Sequence, residues 1–356
     1  MKSILVTGGC GFIGSSFIRL ILQRDAATRV VNLDKLTYAG NRANLADLAG
    51  DPRLRFVHGD IIDAPLVEEL FATEEIDAVV NFAAESHVDR SILQAERFIR
   101  TNVLGTQNLL EVARRAWSSP GGGVREGVRF LQVSTDEVFG SLGPTGRFHE
   151  GSPYDPRSPY SASKAAADHL VRASHHTHGL PTLITICSNN YGPRQFPEKL
   201  IPLALRNAYE GRSISVYGDG ENIRDWLFVT DHCAAILAVL TSGEVGETYC
   251  IGASCERRNI EVVEAICDLL DEHAGRGRTP RRDLIAFVAD RPGHDRRYAI
   301  DASRITRELG WTPSVPFEDG LRRTIEWSLA HPEWIRAIRA GGDDEEAPPA
   351  PAEGKR

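Results

Sequence analysis

The chain has 356 residues, 42% of them hydrophobic and 25% charged, with a formal net charge of −8. That length and composition suit one large or two modest globular domains, and the acid excess argues against general nucleic-acid binding, which needs a basic patch or stripe. No run approaches the ~20 apolar residues of a membrane helix, and Met1 leads almost at once into SILVTGG rather than a signal peptide, so the expected location is the cytoplasm, with no membrane partner.

In chain order, apolar and β-branched runs predict strands at Ile4–Thr7, Val30–Leu33, Leu54–Val57, Ala78–Phe82, Val128–Ser134 and Thr182–Cys187. Helical patterns fall between them at Phe12–Gln23, Pro65–Ala72, Gly105–Arg115 and Pro159–Ala173. Such alternation predicts an α/β fold with a doubly wound parallel sheet covered on both faces. Ser118–Gly127 (SSPGGGVREG) reads as a surface loop. After Asn189 the pattern loosens, with helices expected at Ile201–Glu210, Asp231–Thr241, Ile260–His273 and Phe317–Leu329. This predicts a smaller C-terminal α/β substrate lobe. The expected division gives residues 1–188, and about 225–245, to the main domain. Residues 189–224 and 246–338 go to the lobe, and 339–356 to a disordered tail, since GGDDEEAPPAPAEGKR has no apolar period. The six cysteines form no CxxC pair, and no histidines cluster at zinc spacing, so no metal site is expected.

The first strand runs into Gly8-Gly9-Cys10-Gly11-Phe12-Ile13-Gly14, and a helix follows. Glycines let the backbone approach a pyrophosphate, and the helix start offers free N–H groups. A lone glycine pattern is weak. A strand before it, a helix after it and an acid about 20 residues on make it a Rossmann-type signature. The acid is Asp34; a carboxylate there binds ribose hydroxyls and repels a 2′-phosphate, which favours NAD over NADP. The adjacent Lys35 softens that discrimination. Asp60 and Ile61 follow the third strand, where an acid can meet an adenine amino group or simply start a helix. Ala83, Ala84 and Ser86, after the fourth, leave room for a cofactor across the strand ends.

Tyr160 and Lys164 form YxxxK on one face of a predicted helix. A nearby ammonium lowers a phenol's pKa, so this tyrosine is expected to take a proton from a sugar hydroxyl. The fifth strand ends in Ser134-Thr135-Asp136-Glu137. Two adjacent acids in a dry cleft split roles when their surroundings push their pKa values apart, one donating a proton and the other accepting one.

Glycine loop, strand-end hydroxyl and YxxxK together resemble the extended short-chain dehydrogenase/reductase superfamily. Within it the sequence is similar to the dTDP-glucose 4,6-dehydratases from Lys2 to roughly Trp334. The similarity rests on LDKLTYAGNRANL (33–45), FAAESHVDRSI (82–92), STDEVFG (134–140), SPYSASKAAADHL (158–170), NNYGPRQFPEKLIP (189–202), YGDGENIRDWLFVTDH (217–232) and DRPGHDRRYAID (290–301). The resemblance implies oxidation at carbon 4 by Tyr160 with Lys164 and bound NAD. Loss of water across carbons 5 and 6 follows, with Glu137 as base and Asp136 as acid, and then return of hydride to carbon 6. Thr135 would hold the 4-hydroxyl. Further cofactor contacts implied are Gly8, Gly11, Phe12, Ile13, Gly14, Lys35, Thr37, Thr101 and Asn190. Implied substrate contacts are Ser86, His87, Asn189, Lys199, Leu200, Tyr217, Arg224, Asn259, Arg291, His294 and Tyr298, with Arg224 a fitting diphosphate clamp. The implied partners are dTDP-glucose and a second copy of the chain, paired through helices at 91–116 and 159–175. Phe139 stands where many relatives carry Tyr, and Cys10 where Ala is usual.

Two other readings compete. A nucleotide-sugar 4-epimerase would use the same fold without losing water, but has no use for Asp136-Glu137. A regulatory cofactor-binding protein would need no Tyr160, Lys164 and acid pair together. The motifs leave the nucleotide open among thymidine, uridine, cytidine and guanosine.

Overall fold

The computed structural model describes residues 1–274, 280–290 and 292–341. Its strands are β1 (Ser3–Thr7), β2 (Arg29–Asp34), β3 (Leu54–His58), β4 (Ala78–Asn81), β5 (Arg129–Thr135), β6 (Thr182–Cys187), β7 (Asn189–Tyr191), β8 (Ile214–Tyr217), β9 (Ile223–Phe228), β10 (Thr248–Ile251), β11 (Glu256–Arg258) and β12 (Ile285–Val288). The helices are α1 (Phe12–Arg24), α2 (Ala64–Thr73), α3 (Val88–Leu93), α4 (Ala95–Phe98), α5 (Thr106–Ala116), α6 (Pro159–His178), α7 (Leu200–Glu210), α8 (Val229–Ser242), α9 (Asn259–Ala274), α10 (Ser303–Leu309), α11 (Phe317–Ala330) and α12 (Pro332–Gly341). A π-helical stretch, Ile99–Gly105, joins α4 to α5.

Seven strands form one sheet in the order β10-β6-β5-β4-β1-β2-β3, and every pairing in it is parallel. This is the Rossmann-type order, whose direction reverses between β1 and β4 and opens a crevice there. Side-chain alternation fills both faces. In β1, Leu5 points into one core with Leu70, Leu109 and Val171. Ile4 and Val6 point into the other, with Phe17, Ile18 and Ile236. A three-stranded sheet, β11-β9-β7, and the pair β12-β8 belong to the smaller lobe, whose core gathers Tyr191, Leu205, Trp226, Ile266 and Leu321.

The structure corrects the expected division in three places. β10 pairs with β6, Thr248 opposite Ile184, so residues 248–251 close the main sheet rather than belong to the lobe. β9 pairs with β7 and β11, so 225–228 lie in the smaller sheet. β-pairing over these spans is long-range, and sequence spacing does not reveal it. Helix α12 runs to Gly341, taking in 339–341 of the expected tail; the rest of that tail lies outside the described residues. Among the described residues no helix is long and apolar enough to cross a membrane.

Candidate active site

The main cleft, about 330 Å3, lies at the carboxyl edge of the large sheet. Its walls come from the glycine loop, the ends of β2 to β6, the start of α6 and the loop after Asn189. Gly14 permits close contact between α1 and β1, because a Cβ there would stand 2.4 Å from the Gly8 carbonyl oxygen. At Gly11 a Cβ would meet only that carbonyl, at 3.2 Å, so the loop leaves a shallow cradle for a phosphate. Cys10 is buried and its thiol accepts from the Asn32 amide at 3.4 Å, so it fits the loop. Burial pushes that thiol up to about 12.

Asp34 closes β2 with its carboxylate fixed by two backbone N–H groups, Cys10 and Leu36, each at 2.8 Å. Burial raises its pKa, and those two bonds oppose the rise. Lys35 does not turn to Asp34's ligand side unopposed. Its ammonium is paired with Asp60 at 2.8 Å, which leaves less positive charge for a 2′-phosphate. Ile61, Thr37, Ala83, Ala84, Ser86 and Thr101 line the same cleft, with Gly8, Phe12 and Ile13.

Helix α6 starts at a reciprocal capping box between Ser158 and Ser161, with Pro159 at its first position. Tyr160 and Lys164 both face the cleft from its first turns. The expected lowering of the Tyr160 pKa is not what the geometry produces. Burial, then the Glu137 carboxylate, hold this phenol well above its ordinary range. Lys164 donates instead to the Val133 carbonyl at 2.7 Å, and burial lowers its own pKa, against the pull of Asp168. A lysine buried this deeply is a costly charge, and the spacing alone carries no information on that cost.

Asp136 and Glu137 follow β5 in a short 3-10 turn capped by Thr135. Asp136 is 2% exposed. Burial, then Glu137, push it well above the ordinary carboxylate range, the direction that favours its protonated form. Thr135 Oγ1 lies 3.4 Å from Asp136 Oδ1. Phe139, stacked on Phe148 at 5.0 Å, is core and not cleft.

Five polar atoms in the cleft wall are buried without a hydrogen-bond partner among the described residues: Asp136 Oδ2, Ser188 Oγ, Asn189 Oδ1, Gln195 Oε1 and Glu198 Oε1. Orphaned polar atoms cost free energy unless a ligand meets them. With the glycine cradle and Asp34, they fit a dinucleotide and a polar substrate side by side.

Other expected contacts form a second cluster where the smaller lobe meets the large-sheet core, in which Tyr298 is packed. Arg224, buried, donates to the carbonyls of Ile223 and Asp295, both at 2.8 Å, and covers the Tyr298 ring at 4.3 Å. Tyr217 and His294 meet edge to face at 6.3 Å, and Asn259 opens α9. This cluster adjoins the first, since the Arg224 charge lowers the Asp136 pKa and Glu137 raises that of Tyr298. His87 caps α3 and lies 3.5 Å from Glu198. Lys199 reaches the cleft and donates to the Ser86 carbonyl at 3.0 Å. Leu200 differs from expectation: its side chain packs on the lobe core, because α7 turns its apolar stripe inward, so any ligand contact there falls to backbone. Arg291 lies outside the described residues.

A family model described as GDP-mannose 4,6 dehydratase matches residues 5–324. A dTDP-glucose 4,6-dehydratase of Xanthomonas campestris pv. campestris (strain B100) is 57% identical over 342 residues, 96% of this chain and 97% of its own. The chain belongs to the dTDP-glucose 4,6-dehydratase family. A crystal structure of the family's Streptomyces venezuelae member, with NAD and TYD bound, superposes with a TM-score of 0.85 at 49% identity, covering 94% of this chain and 99% of that one. A UDP-glucose 4-epimerase of Thermotoga maritima shares the fold at a TM-score of 0.80, with only 26% identity over 92% of this chain and 99% of that one.

Motif reading missed several residues of this family member's site. Asn190 is held by His232, whose Nδ1 lies 2.9 Å from the amide oxygen, and burial pulls that imidazole down to about 3. Asp168, one helical turn beyond Lys164, accepts from Ser134 at 2.6 Å and from Tyr154 at 3.0 Å. Its spacing, i+4 from Lys164, was the available signal. Glu198 and Gln195 line the cleft and stood unread within a quoted string.

Proposed function

We propose that this chain converts dTDP-glucose to dTDP-4-keto-6-deoxyglucose. The observation that carries the reading is the acid pair at the end of β5, with Asp136 buried in the same cleft as Tyr160 and Lys164 and its pKa raised by that burial. NAD, bound along the glycine loop and Asp34, would supply the hydride acceptor at carbon 4, the hydride donor at carbon 6, and a positive ring charge.

Thr135 holds the 4-hydroxyl, and Tyr160 takes its proton once positive charge nearby favours the phenolate. The resulting ketone acidifies the proton on carbon 5, which Glu137 removes. Asp136 gives its proton to the departing 6-hydroxyl, so water leaves, and Glu137 returns its proton to carbon 5. Tyr160 ends the cycle one proton richer and Asp136 one proton poorer, so the site resets when one proton passes from Tyr160 to Asp136, with no net uptake from solvent. Orientation of sugar against cofactor provides the remaining acceleration. We assign the nucleotide end to Arg224, Tyr298, Tyr217, His294, Asn259, Lys199 and the backbone at Leu200. Arg224 is anchored by two carbonyls and stacked on a ring, which suits a fixed clamp for a diphosphate.

We also propose that the protein is a homodimer. Ile92, Leu93, Ile99 and Leu104 are 43%, 71%, 51% and 55% exposed. All four fall in the helical run 88–105, a concentration of apolar surface that marks an interface.

The deciding experiment incubates the purified protein with dTDP-glucose without added NAD and follows product mass. Loss of one water is expected. An isomer of unchanged mass would indicate an epimerase. No change after NAD is supplied, with this or any other nucleotide sugar, would favour a non-catalytic cofactor-binding protein.

A further inference from the structure

The C-terminal helix reaches back to the segment that follows Asp34. Trp334 is buried, and its indole N–H donates to Asn44 Oδ1 at 2.8 Å, across 290 residues of chain. Asn44 is buried too, and its amide donates to the Cys10 carbonyl at 2.8 Å. That carbonyl also accepts the Asn41 N–H at 3.0 Å. The Cys10 N–H in turn donates to Asp34 Oδ2 at 2.8 Å. A continuous run of bonds therefore joins Trp334 to the glycine loop and to the carboxylate assigned to the adenosine ribose. On its other side Trp334 meets Trp327 edge to face at 5.0 Å. The Arg194 guanidinium covers the Trp327 ring at 5.0 Å, and the next residue, Gln195, lines the cleft. Helix α12 thus ties together two separate segments that wall the cofactor cleft, and nothing in the chemistry above uses either contact.

We propose that Trp334 is a latch residue that sets how slowly NAD leaves. Its indole N–H fixes Asn44 and so holds residues 35–48 against the glycine loop. The inference rests on the NAD reading above. Slow release matters to a reaction that takes a hydride away and gives it back within one turnover, because a cofactor lost between the steps strands the sugar half-converted. Losing one buried hydrogen bond corresponds to a change of about five- to tenfold in an equilibrium or rate.

The test uses the purified NAD-loaded protein and measures released nucleotide over time after desalting. Trp334→Phe keeps a ring and loses the N–H, and should release NAD about five- to tenfold faster. Trp311→Phe is the matched control. It loses an equivalent buried indole bond, to the Asp231 carbonyl at 3.1 Å, and should release NAD at the wild-type rate. Asn44→Ala removes the same bond from its other end, and the double variant should be no faster than Asn44→Ala alone. In melting experiments the gap between NAD-loaded and NAD-stripped protein should narrow for Trp334→Phe and not for Trp311→Phe. Wild-type retention by Trp334→Phe, or equal loss from Trp311→Phe, overturns the latch and leaves the enzymatic reading standing. Wild-type protein that binds no NAD at all would sink the cofactor reading, and the latch with it.

Discussion

Asp136 shows how one carboxyl group becomes an acid at neutral pH. It is buried beside another carboxylate, so ionising it there is costly, and its folded pKa rises far above its unfolded one. Stability from such a group is fully present below the unfolded pKa, about 4, and is lost as pH rises through the folded value. Asp136→Asn removes the ionisable group while keeping its shape. The variant should therefore melt a few degrees higher than wild type at pH 8, and that gain should vanish at pH 4, as read by calorimetry at both values. Loss of the general acid should lower kcat about 10²- to 10⁴-fold. A variant less stable than wild type at pH 8 would show that Asp136 is not the strained acid described here. Tyr160 carries a related lesson, since its phenol is buried too, and burial, then Glu137, raises its pKa.

Helix α6 is the element that turns residue types into geometry. Ser158 accepts the Ser161 N–H at 3.0 Å, and Ser161 Oγ accepts the Ser158 N–H at 2.9 Å. Gly179, at φ 66°, ends the helix in the left-handed region that glycine tolerates without cost. Between these ends Tyr160, Lys164 and Asp168 follow one another at four-residue spacing, all buried, on the face that meets β5. The cap sits two residues before Tyr160, the proposed base, so it fixes the turn from which that ring projects. Ser158→Ala should cost about 1 kcal/mol in urea unfolding. It should also reduce kcat more than KM, because the first turn frays while the nucleotide contacts lie elsewhere. Unchanged kcat would show that the cap serves stability alone.

At the scale of the whole molecule, the site exists because two cores meet. The large sheet's side supplies the glycine loop, Asp34, the acid pair and Tyr298, which packs in the core under that sheet; the smaller lobe supplies Arg224 on β9. The Arg224 charge lowers the Asp136 pKa, and the Glu137 charge raises that of Tyr298. Assembly belongs to this scale too. If the apolar stretch of 88–105 is the dimer face, Leu93→Asp with Leu104→Asp should halve the mass seen by light scattering. A wild-type monomer at micromolar concentration would remove the proposal.

The sequence by itself determined the parts that are local. Six main-sheet strands, the glycine loop, Asp34, the acid pair and the Tyr160–Lys164 helix were legible because each depends on residues close in the chain. Strings spread along it carried the resemblance to the dehydratases. Tertiary structure alone decided the rest. It placed β10 in the large sheet, since parallel pairing joins residues more than 60 positions apart. It turned Leu200 inward, gave Lys164 to the Val133 carbonyl, and paired Lys35 with Asp60. Above all it set the direction in which the Asp136 and Tyr160 pKa values move, because burial is a property of the folded packing and not of any spacing. The bond from Trp334 to Asn44 belongs with these: it spans nearly the whole chain, and only the fold brings its two ends together.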